Sequence, residues 1–502
     1  MLPLLLRHVG VRPGGVTILT KADRADVAAA AAARHGARLV VATLDADNYG
    51  AVLGPLLKQG DFCVNLTTDV CSLSVLELCA QLGVLYIDTV VEPWAGWYTD
   101  ASVCLGERTN YALREKALSL RSKLGAAPSR FGGRGPTALI AHGANPGLVS
   151  HLVKAALLTV ASARANARPS SAFDPRDPLD AGGGGVVEPT TAAGWSALAA
   201  SLGVKVIHVS ERDTTVASSP RRPGEFVNTW SVDGFISEAC QPAELGWGTH
   251  EGRPHPAGGA AHASGCGAAV FLSQPGLATK VRSWAPSCGP FHGFCVTHHE
   301  AISIADWLTL RDPTTGDVTY RPTVHYAYRP CDDALASLHD LGGSELAAPE
   351  SKRLLEAGAV AGGSDELGVL LGGWDAPSTG LPGPAFWLGS SLSCSDAAQR
   401  CEANTATSLQ VAATVLGGVV WALEHPLEGI VEPEELGGGA SGWRRVLAVA
   451  RPYIEPVAGV WAQWTPLAGR AAASKLFPAA GAARGGDDEA AADPWRFANV
   501  RV

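Results

Sequence analysis

Between Val16 and His142, short apolar, β-branched runs recur along the chain: VTILT (16–20), RLVVATL (38–44), FCVNL (62–66), VLYIDTVV (84–91) and TALIAH (137–142). Amphipathic stretches lie between them, among them residues 22–35, 46–59 and 73–82. A strand buried on both faces reads as a continuous apolar run, whereas a strand with one wet face alternates. Continuous runs separated by helical spacing therefore predict an α/β fold, a Rossmann-like doubly wound parallel sheet with helices on both faces. Ligands of such sheets bind beyond the carboxyl ends of the strands. Three peptides fall there: NLTTD (65–69), DTVVEPW (88–94) and HGANPG (142–147).

Downstream the texture changes. From about Trp195 to Tyr328 the chain is rich in Trp and Gly, with strand-like segments such as VKVIHVSER and GFCVTHHE. This predicts a second, mixed α+β domain packed on the first. The division expected is residues 1–147 for the nucleotide-binding domain and 148–502 for a substrate and dimerisation domain, whose last part packs back on the first. Residues 164–188 and 468–492 are rich in Ala, Gly and Pro without periodicity and read as mobile insertions that carry no chemistry.

With 502 residues, 46% of them hydrophobic, the chain can bury large cores. A net charge of −9 with no cluster of Lys and Arg argues against a nucleic-acid partner and fits cationic small molecules better. Eleven cysteines, with no CxxC pair and no zinc-type His/Cys spacing, read as thiols in a reducing compartment, with no metal site. The opening MLPLLLRH is too short an apolar run for a signal peptide or membrane span, and no apolar stretch near 18 residues is expected after it. The location expected is the cytoplasm or a plastid, without membrane attachment.

Candidate chemistry sits at the strand ends. In HGANPG, the turn Asn145-Pro146-Gly147 closes a strand and opens a helix near Leu148, which leaves free backbone N–H groups and an amide facing the crevice. An ordinary strand-to-helix turn explains the spacing equally well. Asp69 and Glu92 follow strand ends of the first domain, and Glu211, Trp230 and Glu238 fall in IHVSERD, NTWS and FISEA of the second. A diamine is a dication at neutral pH, because its amines titrate near ~10 as lysine does. Its pocket needs anionic ends and an apolar middle, and a Trp face adds cation–π attraction. Taken singly, each carboxylate is better explained as a solvated charge or the partner of an arginine such as Arg212. His298 in VTHHE lies where an imidazole can shuttle protons, but the tandem His299 and Glu300 fit a hydrogen-bonded core histidine just as well.

Taken together, FCVNLTTDVCSL, LYIDTVVEPWAGWY, RTNYALRE, HGANPGLVS, FVNTWSVDGF, QPAELGWGTHE, HASGCGAA, VTHHEAISIADW, RPTVHYAY, DELGVLL and PVAGVWAQWTPLAGR resemble the homospermidine synthases, relatives of the saccharopine dehydrogenase group. The likeness spans nearly the whole chain, and runs such as VVEPW and QPAELGWGTHE are long and rich in rare residues. The resemblance implies an aminobutyl transferase in which tightly held NAD oxidises putrescine, or spermidine, to an imine that a second amine attacks. Ammonia or diaminopropane leaves, and the new imine is reduced by the same cofactor. It places the family's pocket carboxylates on Asp69, Glu92, Glu211 and Glu238, its cation–π tryptophan on Trp230 and its active-site histidine on His298. Asn145 falls on the cofactor-side asparagine, with Asn65 and Thr89 also at strand ends facing NAD. The partners expected are putrescine and spermidine, and a second copy of the chain in a homodimer.

One departure concerns the amino terminus. The family's first strand and GxGxxG turn have no counterpart, since the run from Met1 aligns with the middle of the helix that follows them. Thr20 stands where such folds place an acid for the ribose hydroxyls. The expectation is that either the sequence is truncated within the domain or cofactor binding is lost. Two other readings compete: a saccharopine-type dehydrogenase that releases its reduced cofactor, which needs paired Arg or Lys for an α-amino carboxylate, and a non-catalytic polyamine-binding relative.

Overall fold

The computed structural model describes residues 1–100, 102–126, 129–165, 179, 186–252, 255–256, 258–468 and 493–502. The expected insertions, save a few residues at their ends and Leu179, lie outside the described residues.

The five apolar runs form strands Thr17–Thr20, Arg38–Val41, Phe62–Asn65, Leu85–Asp88 and Ala138–Leu139, all paired in parallel. They make two pieces. The first two strands pair only with each other, and the other three form a four-stranded sheet with Ile430–Val431 at its edge. A segment near the carboxyl end of the chain thus completes the sheet of the first unit. The run TALIAH is a strand for two residues only, because Ala141 turns to φ 51 and donates its N–H to the Asp88 carboxylate at 2.6 Å.

The second unit is built on a ten-stranded mixed sheet. Its main path runs Gly259–Ala261, Ala269–Pro275, Pro242–Gly246, Thr323–Arg329, Val206–Asp213, Ser364–Gly372, Ala385–Ser393 and Val457–Ala462. The central pair, Val206–Asp213 with Thr323–Arg329, is parallel, and this aligns Tyr328 with Glu211.

Two apolar helices join the units. Ala406–Glu424 packs on Leu85–Asp88 and Ala138–Leu139 on one side and on the large sheet on the other, and Leu148–Ala165 lies on Ser364–Gly372 and Ala385–Ser393. Contrary to the sequence expectation, both are long and apolar enough to cross a membrane, but 83% and 78% of the residues concerned are buried inside the protein. A helix apolar all round is one buried all round; both sheets cover Ala406–Glu424, and the large sheet with neighbouring helices covers Leu148–Ala165. Close approach is required: a Cβ at Gly418 would sit 2.7 Å from both the His142 ring and Ile87. One continuous core accordingly runs from Leu4, Ile87 and Leu139 through both helices to Val209, Val369 and Leu388.

Candidate active site

The carboxyl ends of Phe62–Asn65, Leu85–Asp88 and Ala138–Leu139 open toward the Glu211 end of the large sheet, and a cleft lies between them. The loop Gly143–Gly147 closes its floor. Gly147 has φ 120, and a Cβ there would lie 2.2 Å from the Gly143 carbonyl, so only glycine allows the chain to fold back on itself before helix Leu148–Ala165. The Asn145–Pro146 peptide is cis, and Asn145 points its amide across the cleft to the Glu211 carboxylate at 3.0 Å.

Glu211 is almost fully buried and also accepts from the Tyr326 hydroxyl. Burial raises its pKa to about 7, opposed by the Tyr326 and Asn145 hydrogen bonds. Glu92 follows strand Leu85–Asp88, in a loop pinned by the hydroxyl and N–H of Ser72 at the start of helix Ser72–Leu82. No donor among the described residues reaches its carboxyl. Burial, then the neighbouring charges of Glu238, Asp69 and Asp88, lift it to about 8.

Across the cleft, helix Val232–Cys240 carries Glu238, whose carboxylate lies 3.4 Å from Nε2 of His298. His298 caps the amino end of helix His299–Trp307, and its ring packs on Tyr326 at 4.2 Å. Burial alone would lower this imidazole, but Glu300 and Glu238 outweigh it and hold it well above the ordinary histidine range. Trp230, Phe235, Tyr326 and Tyr328 supply the apolar wall. No Lys or Arg stacks on Trp230 among the described residues.

Seven of the nine residues singled out in the sequence line this cleft: Thr89, Glu92, Asn145, Glu211, Trp230, Glu238 and His298. Asn65 and Asp69 are not in its lining. Asn65 turns inward, donating to the Tyr86 hydroxyl at 3.0 Å and accepting from Thr67, so it braces the strand end. Asp69, at φ 64, points its half-exposed carboxylate toward Lys21 at 3.7 Å, and its charge is felt at Glu92.

Sequence reasoning missed Tyr326, Tyr328, His299, Asn110 and Thr297 in the lining. The period-two spacing of VHYAY, with Tyr328 in register with Glu211, was the available signal for the two tyrosines. His299 is held at 3.0 Å by Glu432, which also takes a bidentate pair of bonds from Arg114 at 2.7 and 2.8 Å.

The lining holds carboxylates, amides, hydroxyls and aromatic rings, and neither Lys nor Arg. It has nothing to grip an α-amino carboxylate, as a saccharopine-type dehydrogenase must, and suits a cation with a short apolar middle. A larger cavity, about 820 Å³, opens at the other end of the four-stranded sheet among Val84, Pro136, His425 and Glu428, and holds none of the candidate residues. No group of three or more His, Cys, Asp or Glu among the described residues could hold a metal ion.

This acidic, aromatic cleft at the strand ends has counterparts. Residues 1–129 match the family model of the saccharopine dehydrogenase NADP binding domain, and residues 143–458 that of the saccharopine dehydrogenase C-terminal domain. A homospermidine synthase from Blastochloris viridis is 45% identical over 505 aligned residues, covering 100% of this chain and 94% of that protein. The chain belongs to the homospermidine synthase family. A second homospermidine synthase, from Mesorhizobium japonicum, is 42% identical with 100% and 93% covered. The crystal structure of the homospermidine synthase of Legionella pneumophila in complex with NAD superposes with a TM-score of 0.81 at 40% identity, covering 99% of this chain and 94% of that one.

Proposed function

We propose that the protein is a homospermidine synthase that joins two putrescine molecules, or transfers the aminobutyl group of spermidine to putrescine, with NAD as a resident cofactor. The observation that carries this reading is the cleft itself, four acidic and basic groups (Glu92, Glu211, Glu238, His298) around an aromatic wall with no Lys or Arg.

The residues present fit NAD at the strand ends. Thr89 and Asn145 line the cleft together with Gly143, which packs so closely on Thr89 that a Cβ would come within 3.2 Å of its methyl. The same loop leads into the amino end of helix Leu148–Ala165, which favours anionic groups. When bound, NAD would supply reversible two-electron oxidation of an amine-bearing carbon.

The chain's own residues do the rest. Glu238 and Glu92 bind one ammonium end of the diamine. Glu211, whose pKa lies near neutrality, takes the proton from the reacting ammonium, since only the free amine can become an imine. Trp230 then faces the iminium cation, and its ring quadrupole stabilises the charge that forms. The second amine attacks that carbon, ammonia leaves with a proton from the pair Glu211 and His298, and the new imine would regain the hydride that the bound cofactor accepted in the first step. Two putrescines thus give homospermidine and ammonia with no net redox change.

A label tests the reading. With putrescine carrying deuterium on both amine-bearing carbons, hydrogen removed and returned within one bound cycle stays in the product. Mass spectrometry should show full retention in homospermidine at the first turnover and exchange-free labelling afterwards. Deuterium lost to the cofactor pool, or no triamine, contradicts the proposal.

A further inference from the structure

Helix His299–Trp307 is preceded and opened by three ionisable residues in a row, His298, His299 and Glu300. Residues two apart do not face each other on a regular helix. His298, however, is the cap residue and has an extended backbone, φ −146 and ψ 138, which swings its ring back over the first turn. Both oxygens of Glu300 consequently lie against Nδ1 of His298, at 3.1 and 3.2 Å. Glu300 is completely buried, and no other hydrogen-bond donor among the described residues reaches it. A buried carboxylate with one partner is costly unless that partner is a strong one.

We propose that Glu300 is a positioning residue: it fixes His298 with Nδ1–H directed inward, so that Nε2 alone exchanges protons with the cleft. A carboxylate only accepts, so Nδ1 must donate. Nε2 is then the nitrogen presented to substrate, beside Glu238 at 3.4 Å. The groups facing His298 come from four elements: Glu238 on Val232–Cys240, Glu211 on Val206–Asp213, the Tyr326 ring on Thr323–Arg329 and Glu300 on its own helix. An arriving diammonium competes for Glu238 and Glu211 but not for the enclosed Glu300. The bound cation therefore favours release of the Nε2 proton, and the tautomer left behind has its lone pair on the nitrogen that faces the amine. The kinetic part of this inference rests on the homospermidine synthase reading; the tautomer does not.

The test uses the full chain with 15N-labelled histidine rings, the His298 signals being assigned by difference with His298→Gln. In the unaltered protein, titration should show Nδ1 protonated throughout and Nε2 losing its proton. A neutral form protonated on Nε2 overturns the proposal, whatever any variant does. In Glu300→Gln, where the charge is gone, the tautomers should mix. The pH–rate limb of kcat/KM that follows His298 should move to lower pH, with kcat down roughly 10- to 1,000-fold. Glu300→Asp, which keeps the charge, should keep both tautomer and limb. A Glu300→Gln variant with the native tautomer and an unmoved limb, changed only in melting temperature, leaves Glu300 a packing residue and overturns the proposal. If no triamine forms but the tautomer behaves as described, the activity assignment fails and this inference stands.

Discussion

With its pKa lifted to about 8 by burial and by three neighbouring carboxylates, Glu92 is protonated in most unliganded molecules at neutral pH. By the titration equation the protonated fraction at pH 7 is about 0.9. Putrescine keeps both ammonium charges up to a pH of ~10, and a cation beside Glu92 favours the ionised carboxylate. Each diamine bound at pH 7 should therefore expel about 0.9 proton from this group, provided the bound pKa falls to ~5 or below. The apparent affinity carries the factor for deprotonating the free site, so it should tighten by about 50-fold between pH 6 and pH 8, and little beyond. Glu211, near 7, adds to the release.

Glu92→Gln separates this from other effects. The substitution should weaken putrescine binding least at pH 6, where deprotonating Glu92 offsets most of the gain in charge, and most at pH 8.5. The sign for stability runs the other way. An acid whose folded pKa is raised holds its proton longer in the folded than in the unfolded chain, so the free protein should lose stability as pH rises from about 4.5 toward about 8. Titration calorimetry in phosphate and in Tris, whose ionisation heats differ, counts the protons directly. Equal enthalpies in the two buffers, with an affinity flat from pH 6 to 8, would refute the argument.

Three further outcomes are expected. Trp230→Leu keeps an apolar wall but removes the ring quadrupole, worth about 0.5–2 kcal/mol, so kcat should fall roughly 2- to 30-fold; unchanged kcat with a lowered melting temperature would make Trp230 a packing residue only. Glu238→Gln should raise KM for putrescine more than it lowers kcat, because that carboxylate grips an ammonium equally in the ground and transition states. Glu432→Gln takes one of two close carboxylates from buried Arg114, leaving Asp306 at 2.9 Å, and the carboxylate partner from His299, and should cost about 1–3 kcal/mol, read as a lower midpoint in urea. The Arg114 and His299 contacts overcome burial and hold Glu432 below the usual carboxylate range, so its stabilising share is present above about 4.5 and is lost as pH falls further.

Legibility in the sequence followed burial. Strands Leu85–Asp88 and Ala138–Leu139 are buried throughout, so each reads as an unbroken apolar run whose start could be located within one residue, although both runs continue three residues past the strand end. The strand Ile430–Val431 could not be located, since two residues that pair with Ala138–Leu139 almost 300 positions earlier carry no local pattern. Helices Leu148–Ala165 and Ala406–Glu424 are buried on most faces, the first between the large sheet and neighbouring helices and the second between the two sheets, which removes the amphipathic period that marks surface helices.

In the site, position after a strand brought Glu92, Thr89 and Asn145 to the cleft but did not say which way a side chain turns. Asp69 swings outward at a left-handed residue, and Asn65 inward to Tyr86. Glu300 was visible only as part of a His-His-Glu run, and its contact with His298 depends on a cap conformation that spacing does not reveal.

The central claim is that oxidation and reduction occur on one bound carbon skeleton, so NAD need only be catalytic. The most direct measurement is to incubate the purified protein with millimolar putrescine and NAD equimolar with enzyme, following absorbance at 340 nm and triamine by mass spectrometry together. Many equivalents of homospermidine and ammonia per NAD are expected, with no lasting rise in absorbance. Absorbance rising in step with NAD supplied, and no triamine, would show a dehydrogenase that releases its reduced cofactor and would contradict the account.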